Sequence, residues 1–235
     1  MPNEIRRVTT AAAPLALLLL LPAGLWSARV FRSGAPTYGF LLFNLFLGAL
    51  PLGFAVWAMW EDQGGDLERS VGRRIRLGVA LLLWLLFLPN APYIISDFIH
   101  LRERAGAPLW FDSALVTSCA LSALVFGVRS LGMVHRLIER RFGAVYGWAS
   151  VLVATVLSGF GIWMGRFLRW NSWDALLRPD AIAQEILPRV LAPQDNLRMC
   201  VVTLVFASLF FVVYFAFRAP AGPPSPPPSP PSSPH

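Results

Sequence analysis

Lysine is absent from this chain: all 20 basic residues are arginine. No Schiff base can form on a lysine side chain, which excludes that route to covalent catalysis. Cysteine is almost as scarce. Cys119 and Cys200 lie in or beside apolar runs, and two isolated cysteines make neither a zinc site nor a disulfide framework. They read as small apolar filler; span counting puts both near one face, but nothing supports a bridge between them. Charge of either sign is thin. Asp, Glu, Lys and Arg make up 14% of the chain, where a soluble domain carries roughly a quarter. Phosphate-cradling glycine loops, Cys/His metal clusters and nucleophile elbows are missing as well.

What is present is apolar. The 235 residues are 56% hydrophobic, with mean hydropathy +0.57. This is the composition of an integral membrane protein, and the lipid bilayer is its first partner. The net charge of +7 does not point to nucleic acid, because the arginines are scattered between apolar runs. There they serve as topology signals and headgroup contacts. Neither a cofactor nor a protein partner is assignable.

Six runs approach the roughly 20 residues that a bilayer core requires: 11–28, 38–60, 77–96, 114–134, 144–164 and 200–217. The predicted fold is an all-α polytopic helix bundle with a broken third helix, one membrane domain over 1–218. The first run follows Arg6 and Arg7 like a signal peptide, but Trp26 stands where cleavage needs a small residue, so it is kept as a span. An even count puts both termini on one side. Eleven arginines fall on that side against nine opposite, with the strongest bias at Arg69, Arg73, Arg74 and Arg76. The positive-inside rule then predicts cytoplasmic termini. Trp57 and Trp60 fit an interfacial belt. The Pro/Ser-rich tail, 219–235, is expected to be disordered or polyproline-like.

Smaller expectations follow from local pattern. Ile182, Ile186, Leu187, Val190 and Leu191 predict a surface amphipathic helix over 180–191, interrupted at Pro188. Asp195 is placed to cap the last span and Asp112–Ser113 the fourth. Arg129 can snorkel, and His135 falls in a basic loop among lipid headgroups.

The chemistry-bearing stretch is Leu88–His100, LPNAPYIISDFIH. From residue 77 to 88 an α-helix rises roughly 18 Å, whereas the hydrocarbon layer is roughly 30 Å thick. Pro89 therefore falls inside the membrane. Pro89 and Pro92 each remove a donor and kink the helix, and Asn90 can serve a freed carbonyl. Tyr93 adds a hydroxyl near the interface. Beyond the kink, Asp97, His100 and Arg104 share one face if the segment is helical. Asp97 and His100 could act as general acid and base, or simply pair with an arginine. As metal ligands they number two where a tetrahedral site needs three or four, so no metal is assigned.

A second stretch, GRFLRWNSWD over 165–174, ends the fifth span. Arg166 and Arg169 are one turn apart, as are Trp170 and Trp173, with Asn171, Ser172 and Asp174 beside them. Arginine forks suit phosphate and carboxylate, so the set can bind an anionic small molecule or lipid headgroup, or anchor the helix end as an aromatic–arginine belt. Asp174 is a third candidate acid or base. Spans three and five leave the membrane on one face, so the two stretches can meet there.

Together, FLPNAPYIISDFIHL and GRFLRWNSWD resemble the paired signature of an uncharacterised bacterial membrane family, domain of unknown function 1361, over about 38–217. The resemblance implies that Pro89, Asn90, Pro92, Tyr93, Asp97, His100, Arg166, Arg169, Trp170, Asn171, Trp173 and Asp174 form its signature, and an inner-membrane location. It supplies no activity. Three readings stand open: binding or transport of a small anionic substrate, an enzyme acting on a lipid-linked or envelope substrate, and an assembly subunit.

Overall fold

A computed structural model describes residues 12–63, 70–104 and 106–218. The expectations for Arg6, Arg7, Arg69 and the 219–235 tail lie outside these residues. Among the described residues the fold is all-helical, and six helical segments are long and apolar enough to cross a membrane: Ala13–Ser33, Gly39–Asp62, Val71–His100, Leu109–Phe142, Ala144–Leu168 and Leu197–Phe217. In order, the elements are α1 (Ala12–Ser33), α2 (Gly39–Asp62), α3 (Val71–Phe87), α4 (Asn90–Tyr93), a 3₁₀ segment (Ile94–His100), α5 (Leu109–Phe142), α6 (Ala144–Trp163), a π-helical turn (Met164–Leu168), α7 (Asp174–Leu177), α8 (Pro179–Leu191), a 3₁₀ turn (Pro193–Asp195) and α9 (Leu197–Phe217).

The long α5 is the central post. It packs on α2 and α6, α3 packs on α2, and α9 packs on α6. The apolar core falls in two clusters. One gathers Met59, Trp84, Leu131, Leu137 and Phe210, the other Leu41, Leu45, Ile94, Leu115, Cys119 and Phe126. Cys119 is buried, Cys200 half-buried, and both are free thiols.

The third span breaks where the two prolines stand. Leu88 N still donates to Trp84 O (2.9 Å), but Ala91 N turns back to Leu88 O (3.1 Å), leaving Phe87 O without its helical donor. Asn90 Nδ2 takes that carbonyl at 2.9 Å, which is how broken backbone survives at membrane depth. Two glycines make room for the break. A Cβ on Gly161 of α6 would stand 2.7 Å from Pro89 Cγ, and one on Gly127 of α5 would stand 2.6 Å from Ala91 Cβ.

Several local expectations are corrected. Asp112 does not cap α5, whose N-cap is Pro108. It lies in the first turn and holds Arg29 in a two-pronged pair, Nε to Oδ1 at 2.6 Å and Nη2 to Oδ2 at 3.0 Å. Both side chains are fully buried, so Arg29 is not a loop charge. His135 is not in a loop either, because α5 continues to Phe142. It is buried, and its Nδ1 lies 2.6 Å from the Tyr214 hydroxyl. Asp195 makes no capping bond; α9 starts at Leu197 after Asn196, whose Nδ2 donates back to Ala192 O (2.9 Å). Pro188 does not interrupt α8, which runs unbroken from Pro179 to Leu191 with no buried residue and with Leu187, Val190 and Leu191 exposed. At the opposite face the arginine cluster is matched by acids: Arg76 Nε donates to Glu61 (2.9 Å), and Arg140 and Arg141 both engage Asp62.

Candidate functional site

The 3₁₀ segment has three residues per turn, so residues three apart eclipse one another. Asp97 and His100 accordingly share a face. Arg104 does not join them. The backbone turns extended at Leu101, Arg104 bridges to Ala107, and its guanidinium lies 5.1 Å from the Tyr38 ring centroid. On the facing span, the π turn widens the end of α6, a distortion common at functional sites. Arg169 closes it in the left-handed region at φ 63°, an uncommon conformation for a residue with a Cβ.

The π turn delivers Arg166 into the 3₁₀ segment, and this is where the two sequence stretches meet. Arg166 Nε donates to Ser96 Oγ at 3.0 Å. Its Nη2 donates to Ser96 and to the Asp97 carboxylate. Nη1 donates to His100 Nε2 at 3.0 Å, and the guanidinium lies over Tyr93 at 4.6 Å. Arginine has no acceptor, so His100 Nε2 presents its lone pair and the ring proton sits on Nδ1. Asp97 is 2% exposed and Arg166 15%. The other Asp97 oxygen accepts from Asn44 Nδ2 of α2 at 2.8 Å. Charge is balanced within the cluster, and every oxygen of Asp97 has a donor.

Asn44 and Ser96 were not singled out from the sequence. Asn44 had a signal, being the lone polar side chain in the apolar run GFLLFNLFLGALP; a polar residue at such depth calls for a partner. Ser96 had none beyond its place between Tyr93 and Asp97. Tyr38, whose hydroxyl donates to His100 O (3.3 Å) and whose ring meets Arg29 at 5.1 Å, ties the cluster to the buried Arg29–Asp112 pair.

The rest of the second stretch goes elsewhere. Asp174 does not reach Asp97 or His100; it accepts from Asn171 N (2.8 Å) and Arg178 Nη2 (2.9 Å). Those donors, Asn171 first, hold its carboxyl below the ordinary carboxylate range. A lowered pKa in the folded state stabilises above the unfolded value and is lost on acidification. Acidification through and below roughly pH 4 is therefore expected to loosen the Asn171–Arg178 turn and shift Trp170 and Trp173 emission, and Asp174→Asn is expected to abolish that shift. Trp170 Nε1 donates to Glu185 of α8 (2.7 Å), and Trp173 meets Phe43 edge-on at 6.3 Å. Arg169 is exposed and has no side-chain partner among the described residues. Ser172 Oγ accepts from Asn90 Nδ2 at 3.0 Å, so the loop after span five is latched to the break in span three.

Beside this latch lies a cavity of about 340 Å³. Asn44, Asn90, Tyr93, Trp170, Asn171 and Ser172 form one end, and Leu47, Leu82, Leu85, Leu86, Leu157 and Phe160 form the other. Ile182 of the surface helix α8 also lines it. Leu82 and Leu157, on α3 and α6, line it and are 59% and 42% exposed, so both also face the surroundings of the bundle. From Leu157 to Gly165 a helix rises roughly 12 Å, so the cavity reaches well below the interface. Among the described residues no group of three or more His, Cys, Asp or Glu side chains converges as metal ligands would.

Comparison with known proteins finds a family model, described as "Protein of unknown function (DUF1361)", matching residues 43–213. That interval holds the cluster, the latch and the cavity. No curated protein and no solved structure matches this chain.

Proposed function

The chain belongs to the DUF1361 family of proteins of unknown function, and on that premise we propose that this multi-pass membrane protein binds a membrane amphiphile in the cavity at the break of span three. The carrying observation is the cavity's polarity along its length. Its polar end lies at the exit face among Asn44, Asn90 and Ser172, and its apolar end opens sideways between α3 and α6. A site with one wet end and one lipid-facing end suits a molecule of the same character. Bound amphiphile would then be held, transported or processed at the exit face. The arginine bias supports cytoplasmic termini, which puts the cavity mouth on the outer face of a cytoplasmic membrane.

In this reading the Asp97–Arg166–His100 cluster positions the broken helix, and His100, exposed and bonded to Arg166, is the general acid or base if the protein is an enzyme acting on a lipid-linked substrate. Transport of a small anion draws support from the intramembrane break, since transporters use such breaks at their binding sites. It would require Arg166 to exchange Asp97 for substrate, or Arg169 to supply the charge.

Purified protein in nanodiscs would be photolabelled with a phospholipid carrying a diazirine in one acyl chain. Adducts are expected to concentrate in 82–93 and 157–165. Leu85→Trp, which fills the cavity, should reduce them to the background of the lipid-facing helices. Labelling spread evenly over all six spans, and unaltered by Leu85→Trp, would refute amphiphile binding here.

A further inference from the structure

We infer that the amphiphile taken by this cavity carries an uncharged, hydroxyl-bearing head, the chemistry of a glycosyl or polyol lipid rather than of a phosphate or ammonium lipid. The inference rests on the proposed amphiphile site and names its headgroup class.

Among the described residues no charged side chain lines the cavity. The two arginines that lie against lining rings are matched, Arg166 by Asp97 and Arg178 by Asp174, and Arg169 is exposed and not among the lining residues. The polar lining is amides and hydroxyls, and their existing bonds decide what remains available. Asn44 spends Nδ2 on the Asp97 carboxylate. Asn90 spends Nδ2 on Phe87 O and Ser172 Oγ. A carboxylate and a peptide carbonyl accept only, so both amides are oriented with the nitrogen inward. Asn90 has only its carbonyl oxygen left, and Asn44 its carbonyl oxygen and one N–H; no hydrogen bond is donated to either oxygen among the described residues. Neither oxygen is among the buried unpaired atoms, so both stay accessible. These two free acceptors call for donors, which a phosphate diester lacks.

Donors come as ammonium or hydroxyl. An ammonium finds no carboxylate among the lining residues, and the Tyr93 and Trp170 rings already carry Arg166 and Arg178 at 4.6 and 4.9 Å. Hydroxyls both donate and accept. They can therefore serve Asn44 Oδ1 and Asn90 Oδ1 while accepting from the Tyr93 hydroxyl, which makes no hydrogen bond among the described residues, and from the Ser172 hydroxyl proton.

The test is displacement of the diazirine phospholipid from residues 82–93 by competitors with identical acyl chains: a monoglycosyl diacylglycerol, phosphatidic acid and a trimethylammonium lipid. The glycosyl lipid is expected to displace at about tenfold lower concentration, the worth of one or two net hydrogen bonds. Ser172→Ala and Asn171→Ala, which leave the Asn90–Phe87 bond intact, are expected to narrow that preference without abolishing labelling. Equal displacement by all three, or preference for either charged lipid, would overturn the head assignment and leave the amphiphile site standing. Absence of localised labelling would instead remove the site itself.

Discussion

Asp112→Ala is expected to destabilise the protein by about 3–5 kcal/mol, the cost of stranding one buried charge of a broken pair. Arg29 and Asp112 are both fully buried and joined by two hydrogen bonds. Removing the carboxylate leaves the guanidinium with a 3.5 Å contact to Ser33 and the Tyr38 ring at 5.1 Å. Arg29→Ala should cost a similar amount by stranding Asp112. The double replacement Arg29→Met with Asp112→Leu behaves differently. It removes both charges at similar volume, and such exchanges are often neutral or stabilising. The expected pattern is two single variants that melt on the order of 10 °C lower in detergent and a double variant close to the parent. Additive losses in the double variant would show that the pair is not coupled. Because α1 has little other packing, the single variants should also release α1 first, seen as faster amide exchange over Ala13–Ser33.

Arg166→Ala is the second large effect, at about 3 kcal/mol, the lower end for a buried pair because Arg166 keeps 15% exposure. This one side chain engages Ser96, Asp97, His100 and Tyr93. Its loss leaves Asp97 buried with Asn44 as its remaining donor. Arg166→Lys should recover little of this. An ammonium is a point charge on a flexible stem and cannot reproduce the fork that reaches Ser96, Asp97 and His100 at once. Hydrogen exchange over Ile94–His100 is the direct readout. Both variants should raise it strongly, with α9 unaffected. Full rescue by lysine would show that charge alone, not fork geometry, holds the break. Asn44→Ala should have a smaller effect of the same kind, since it removes one donor and leaves the ion pair.

Six spans, the break at Pro89 and the shared face of the two polar stretches were all legible in the sequence, because each rests on length, parity or a missing backbone donor. The partner of each polar residue was not. Asp112 looked like a cap because a carboxylate at a helix start usually is one; here a buried Arg29, 83 residues away, outcompetes the helix's own N–H groups. His135 looked solvated because arginines follow it, yet α5 extends well past the expected end at 134 and brings it against Tyr214. Asp174 looked like a companion for Asp97 because span parity puts both on one face. The π turn and the left-handed Arg169 redirect the chain, and backbone of that kind has no composition signature. The cavity is the least legible feature of all, since its walls are ordinary leucines and only the failure of α3 to close against α6 creates it.

That lateral opening has a consequence for how the protein meets its surroundings. The cavity is lined from Leu82 to Tyr93 and from Leu157 to Gly165, the later halves of spans three and five, which lead to the exit face. If it binds the proposed amphiphile, it would sample one leaflet and be blind to the other. A ligand confined to the opposite leaflet never reaches it without crossing the bilayer, however abundant it is. In vesicles with randomly inserted protein, each molecule answers to the composition of whichever monolayer its exit face meets. On the proposed function, lipid asymmetry, rather than total lipid content, would set its occupancy.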